Sequence, residues 1–166
     1  DASGNVIRDD KPSEYELTAA YAFRLSDKMS LGINGKFGYS NLTGGLTVAG
    51  VNTKAGIVGA TDLSFTYFND KARLGKTNGT YTFATTINNV GNKIAYSELS
   101  QRDFIPMNLK IGNAFKADFD RFNSVTFSLD LQRLLVPTPA AYDMINGENT
   151  MLSGMSSDVG VIAGMV

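Results

Sequence analysis

The sequence predicts an all-β protein, folded as an antiparallel up-and-down transmembrane β-barrel. Long stretches alternate between apolar and polar residues, which is the period of a β-strand with two different faces. No stretch repeats its apolar residues at the spacing of an α-helix. The connections between the alternating stretches are short and long in turn, as in outer-membrane barrels with short periplasmic turns and long outer loops.

The first two predicted strands form a hairpin. Residues 14–25 and 29–40 alternate throughout, and the sequence "LSDK" at residues 25–28 between them is typical of a tight turn. In the second strand, Leu31 and Phe37 lie on one side and Lys36 on the other. Strands of soluble proteins average about 5–6 residues, whereas about 9–11 tilted residues cross a hydrocarbon layer. The length of both strands therefore favours a membrane barrel.

Two further hairpins follow, and the order of the connections predicts which end of the barrel each one occupies. The remaining predicted strands cover residues 57–68, 80–90, 107–116 and 124–132, with a seventh, shorter one at 159–166. The turns at 25–28, 69–79 and 118–123 are expected at the periplasmic end. The long connections at 43–56, 91–106 and 136–157 are expected at the outer end.

Six or seven strands are too few to close a barrel alone. The smallest usual single-chain barrels have about 8 strands, and lipid does not tolerate an open sheet edge. We therefore expect residues 1–166 to be one partial barrel domain, an internal segment of a longer barrel. Closure by several copies of the chain is the alternative. The residues show no signal peptide and no run of eighteen apolar residues that would form a transmembrane helix.

The composition excludes several kinds of chemistry. The 166 residues carry a net charge of −1 and include neither Cys nor His. A His–Cys zinc site, a Ser–His–Asp triad and a cysteine nucleophile are therefore excluded. The near-neutral charge provides no bulk attraction to nucleic acid. We expect no enzymatic activity, no cofactor, no metal site and no nucleic-acid partner.

Charged residues of both signs fall on the predicted inner face of the barrel. A mixture of signs favours mutual pairing in a partly wet interior over an ion-selective ring. The lining of a transport path is the alternative. These residues are Glu14, Glu16, Arg24, Lys36, Asp62, Lys110, Lys116 and Asp130.

Two apolar, proline-containing segments border strands at the predicted outer end. Proline cannot donate to a strand ladder, so it stops pairing at these points. Two interpretations stay open. The segments end strands within the outer lipid interface, or they form an exposed apolar rim that binds another protein. The candidate rim residues are Phe104, Ile105, Pro106, Leu134, Leu135, Val136, Pro137 and Pro139.

Three stretches of the sequence resemble a known protein family. The stretches "NNVGNKIAYSE", "DFIPMNLKIGNAF" and "DLQRLLVPTP", in this order and spacing, resemble the PorV family of type IX secretion outer-membrane proteins. The stretches "SEYELTAAYAFRLSDKMSLGINGKFGYS" and "TDLSFTYFND" fit as well, so the resemblance covers nearly the whole chain. It implies a larger barrel related to FadL-type fatty-acid transporters and found in Bacteroidota.

The resemblance also implies that the protein lies in the bacterial outer membrane, in contact with its lipid, and that it catalyses no reaction. Such a protein associates with the SprA/Sov-type translocon and binds the C-terminal domain of secreted cargo. It then shuttles the cargo to the PorU-type attachment complex at the cell surface. The alternative is a FadL-like channel for hydrophobic small molecules. A channel of this kind should have an apolar lumen. The inward positions are mostly Ser, Thr, Asn, Gly and charged residues, which favours the cargo shuttle over the channel.

Overall fold

A computed structural model describes residues 11–42, 44–48, 50–97, 102–145, 148–156 and 158–165. Residues 1–10 and residue 166 lie outside these ranges, as do the short internal stretches between them. The described residues form ten strands: β1 (Ser13–Arg24), β2 (Met29–Asn41), β3 (Thr47–Val48), β4 (Val51–Asn52), β5 (Gly56–Leu74), β6 (Thr77–Gly91), β7 (Asn108–Asp118), β8 (Ser124–Leu134), β9 (Ala141–Ile145) and β10 (Glu148–Ser153).

One antiparallel sheet contains the six long strands. Its order is β1-β2-β5-β6-β7-β8, so neighbours in the sheet follow one another along the chain apart from the small β3–β4 hairpin. This confirms the predicted all-β, up-and-down arrangement of six strands. Among the described residues the sheet is open, with β1 at one edge and β8 at the other, as expected for part of a barrel. No described residue belongs to a helix that could span a membrane.

The strand register gives the sheet two chemically different faces. Leu17 pairs with Phe37, and Ile33 pairs with Leu63, so apolar residues of neighbouring strands form continuous rows. We call this side the apolar face. It comprises Tyr15, Leu17, Tyr21, Phe23, Leu31, Ile33, Phe37, Ile57, Leu63, Phe65, Tyr67, Tyr81, Phe83, Ile87, Leu109, Ile111, Phe115, Val125, Phe127, Leu129 and Leu131. The residues between them form the opposite, polar face.

The apolar face is uncovered. Leu17 is 73% exposed and Leu129 is 64% exposed. In a β-sandwich these side chains would pack against a second sheet, but no described element lies over them. The buried apolar core of the described residues is correspondingly small, with Met107 at 0% and Ala117 at 4% exposure. The sheet thus exposes its apolar face, whereas a soluble protein buries most of its large apolar residues.

The three hairpin turns lie at one end of the sheet, as predicted, but the middle one is shorter than expected. The sequence predicts a turn over residues 69–79, whereas β5 continues to Leu74 and β6 begins at Thr77. Residues 72–74 pair with residues 77–79 beyond a bulge. Gly75 has a φ of 62°, which a two-residue hairpin turn beginning with glycine requires. This stretch is rich in Asn, Asp, Gly and charged residues, which are common in turns, so its sequence pattern predicts a loop.

The predicted seventh strand at 159–166 is wrong for the residues that the structure describes there. Residues 158–165 form turns, with Gly164 N–H donating to the carbonyl of Gly160 at 2.9 Å. Two glycines and no paired partner strand favour local bonds over a ladder. The structure instead places the β9–β10 hairpin inside the connection predicted at 136–157.

Candidate partner-binding groove at the loop end

The two predicted rim segments meet because they flank neighbouring strands. Asn108 at the start of β7 pairs with Leu134 at the end of β8, so the residues just beyond the two strands lie side by side. The N–H of Leu135 donates to the carbonyl of Met107 at 2.8 Å, which extends the contact past the last ladder pair. Pro106 lies directly before Met107 and Pro137 lies two residues after Leu135, and neither has an N–H with which to continue the pairing. The ladder between β7 and β8 ends here, and the groove lies beside these segments.

The groove has a volume of about 330 Å³ and is lined mainly by apolar side chains. Four predicted rim residues line it: Phe104, Val136, Pro137 and Pro139. Sequence reasoning missed the other four lining residues, which are Asp103, Ala140, Tyr142 and Met155. Tyr142 and Met144 alternate with Asp143 shortly after Pro139. This short pattern could have indicated a strand here and, with it, Tyr142. Met155 has no comparable signal, because the fold brings it to the groove from beyond β10.

The other four predicted rim residues are not in the lining of the groove. Ile105 and Leu135 are half-buried beside the fully buried Met107, while Pro106 is exposed. Leu134 is 52% exposed at the end of β8. These positions fit the first of the two interpretations of the proline-containing segments, in which the apolar residues end the strands. The structure therefore divides the predicted rim into groove-lining and strand-ending residues.

Contacts from three other segments fix the walls of the groove. Lys93 Nζ lies 4.3 Å from the centroid of the Phe104 ring, and the same amine donates to the carbonyl of Val159. Gly164 also lies against the Phe104 ring, where an added Cβ would come within 2.8 Å of a ring carbon. On the opposite wall, the N–H of Met155 donates to the carbonyl of Thr138 at 3.0 Å.

A second pairing holds the segment that carries Phe104. Ile94 and Asp103 exchange two backbone hydrogen bonds of 2.9 and 2.8 Å, forming an isolated antiparallel bridge. The connection between β6 and β7 therefore folds back on itself. Phe104, as the next residue, is directed at the groove from an ordered backbone rather than from a free loop.

Residues 3–141 match the family model described as type IX secretion system protein PorV. The chain belongs to the PorV family. This confirms the resemblance of its sequence motifs to that family. A comparison with curated proteins found no match. The match includes all eight predicted rim residues and ends at the start of β9.

The polar face of this PorV-family chain carries an ion pair in a largely buried setting. Lys36 Nζ lies 2.8 Å from Asp62 Oδ2, and Asp62 is only 6% exposed. Asp62 also accepts hydrogen bonds from Asn34 Nδ2 at 3.2 Å and from the N–H of Asn89 at 2.8 Å. For Lys36 and Asp62, the prediction that these charges pair with each other is confirmed.

Three more of the predicted inner charges have partners close to them in the fold. Glu14 accepts a hydrogen bond of 2.6 Å from Ser40 Oγ, and Glu16 accepts one of 2.9 Å from Thr18 Oγ1. Lys116 lies 2.8 Å from Asp118. Tyr96, from the connection between β6 and β7, donates to Ser40 at 3.1 Å. This connection therefore contacts the polar face as well as the groove. Among the described residues, no group of three or more carboxylates could hold a metal ion.

Proposed function

We propose that this protein is an outer-membrane β-barrel of the type IX secretion system that binds the C-terminal domain of secreted cargo in the outer groove. In this proposal the protein receives cargo at a SprA/Sov-type translocon and passes it to a PorU-type attachment complex at the cell surface. The protein binds and transfers its cargo without a catalytic step. Membership of the PorV family and the apolar groove at the loop end support this assignment.

The two faces of the sheet support the outer-membrane location. An exposed apolar face on long antiparallel strands matches the hydrocarbon layer, and the six strands of the sheet have 11 to 19 residues. In water, so large an uncovered apolar surface would cause aggregation. We propose that this face contacts outer-membrane lipid.

The polar face favours cargo binding over the alternative of a FadL-like channel for hydrophobic small molecules. An apolar ligand passing through the lumen needs an apolar lining. The polar face instead carries the Lys36–Asp62 pair and the polar side chains around it. The apolar groove lies at the loop end, where a secreted protein is accessible.

The observation that carries the proposal is the convergence of Phe104, Val136 and Pro137 in one groove. A small apolar groove suits transient transfer better than a large obligate interface. The rings of Phe104 and the prolines lose little conformational freedom on binding, which favours affinity. The groove is therefore an efficient docking site for a partner that must later be released.

The test compares groove variants with a matched apolar variant outside the groove. Phe104→Ser and Val136→Ser should each weaken binding of a purified cargo C-terminal domain to the full-length protein by about tenfold, as expected for central interface residues. Leu134→Ser removes an exposed leucine that does not line the groove and should leave binding unchanged. Binding is measured with the solubilised protein after normal membrane insertion has been verified. Wild-type affinity in both groove variants would place the cargo site elsewhere.

A further inference from the structure

Asn89 has a backbone conformation that is unusual for a non-glycine residue within a strand. Its φ is 59°, and it is the one non-glycine residue with a positive φ in the described part of the chain. It lies in a bulge of β6: Thr61 pairs with Val90 and Leu63 pairs with Ile87, so two residues of β6 oppose Asp62 alone. Bulges change the direction of a side chain, and asparagine tolerates positive φ better than most residues.

The bulge lets Asn89 connect three parts of the fold. Its backbone N–H donates to Asp62 Oδ1 at 2.8 Å in β5. Its side-chain oxygen accepts a hydrogen bond of 3.0 Å from Lys36 Nζ in β2. Its side-chain nitrogen donates to the carbonyl of Pro106 at 3.1 Å. One amide thus links the buried ion pair of the polar face to the segment before β7.

The contact with Pro106 matters because of what that segment carries. Phe104 of the groove is two residues earlier, and the fully buried Met107 follows directly. The Pro106 carbonyl also accepts a hydrogen bond of 3.2 Å from Asn108 Nδ2, but Asn108 is only two residues away along the chain. Asn89 contacts the segment from another strand, so it restrains the position of the segment relative to the sheet.

We propose that Asn89 is a positioning residue for the groove. With Lys36 and Asp62 as its anchor, its side-chain amide holds residues 102–107 against the sheet and keeps Phe104 in the groove wall. The backbone conformation alone does not require asparagine, because glycine adopts the same φ without strain. The two side-chain hydrogen bonds are what glycine cannot make. The consequence for cargo affinity rests on the proposed function, whereas the positioning role does not.

The position of the segment can be measured directly, because the chain has no native cysteine. Arg102→Cys places one spin label in the segment itself, and Asp27→Cys places the other in the turn between β1 and β2. The distance between the labels is measured by pulsed electron paramagnetic resonance in the full-length, membrane-inserted protein. Asn89→Gly should shift or broaden the distance distribution. Asn89→Asp should do the same, since a carboxylate can still accept from Lys36 but cannot donate to Pro106.

Asn34→Ala is the matched control. It removes an amide that bonds to the same Asp62 carboxylate but that has no contact with residues 102–107 among its described hydrogen bonds. The distance distribution should stay that of the unmodified protein. An equal shift in Asn34→Ala would show general loosening of the cluster and overturn the positioning role. An unchanged distribution in both Asn89 variants would overturn it as well.

A second readout separates this inference from the proposed function. Asn89→Gly should weaken binding of a purified cargo C-terminal domain by about threefold to tenfold, the effect of losing about one hydrogen bond. Asn34→Ala should bind like the unmodified protein. A shifted distance distribution with unchanged cargo affinity would support the positioning role and contradict the groove as the cargo site.

Discussion

Asp62 is a buried anion that depends on its neighbours. Lys36 supplies its cation at 2.8 Å, while Asn34 and the backbone of Asn89 supply further donors. Lys36→Met should lower the free energy of unfolding by about 3–5 kcal/mol, because it leaves a buried charge without its partner. Adding Asp62→Asn to this variant should recover much of the loss, since a neutral amide needs no cation. Urea unfolding in lipid vesicles measures both. A double variant no more stable than Lys36→Met would contradict this.

The turn between β7 and β8 contains a carboxylate with a lowered pKa. The side-chain amide of Asn123 and the backbone N–H of Phe122 donate to Asp120 and hold its pKa below the ordinary 3.8. A lowered pKa means that the carboxylate stabilises the fold above pH 3.8. This stabilisation disappears as pH falls through the lower pKa of the folded state.

Asp120→Asn should therefore show a pH-dependent effect on stability. The variant should be less stable than the unmodified protein at neutral pH, and the difference in unfolding free energy should shrink below about pH 4. Urea titrations in vesicles between about pH 3 and pH 7 measure it. A difference that stays constant over this range would show that the turn is not stabilised by the ionised carboxylate.

At the level of single strands, β8 offers the sharpest comparison between the two faces. Leu129 belongs to the apolar face and is 64% exposed, while its neighbour Ser128 points to the polar face. If the apolar face contacts lipid, Leu129→Lys should cost about 2–4 kcal/mol of folding free energy near the middle of the membrane. Ser128→Lys, with the same charge one residue away, should cost much less. Equal costs, measured by urea unfolding in vesicles, would argue against a lipid-facing surface.

The six strands of the main sheet could be predicted because alternation is a local signal that a pleated strand expresses directly. The β9–β10 hairpin was missed, because its strands have only five and six residues and contain Asp143, Glu148 and Asn149, which are residue types that are rare in strands. Only part of the groove could be predicted, because only some of its residues border strands that the sequence shows. Phe104 and Val136 border strands visible in the sequence, whereas Met155 arrives from beyond the unpredicted hairpin. The bulge at Asn89 has no pattern of its own, because it depends on pairing between strands.

The whole molecule has two faces and two ends, and each has its own chemistry. The apolar face lies along the strands, and the groove lies at the end opposite the hairpin turns. The connections that build the groove also contact the polar face, through Tyr96 at Ser40 and through Pro106 at Asn89. These hydrogen bonds connect the polar face of the sheet to the segments that build the groove.

The different connections at the two ends of the sheet predict the orientation of the protein in the membrane. Hairpin turns at one end and long connections at the other place the turns in the periplasm if the protein is an outer-membrane barrel. Single cysteines at Asp27, Gly75 or Asp120 should then resist an impermeant thiol reagent on whole cells. Cysteines at Gly44 or Ala140, in the long connections, should react, as should one at Asn146, which lies outside the described residues in the connection predicted at 136–157. All positions should react after the cells are broken, which controls for burial. Labelling of the turns on intact cells, with the long connections protected, would invert the orientation and move the groove away from the cell surface.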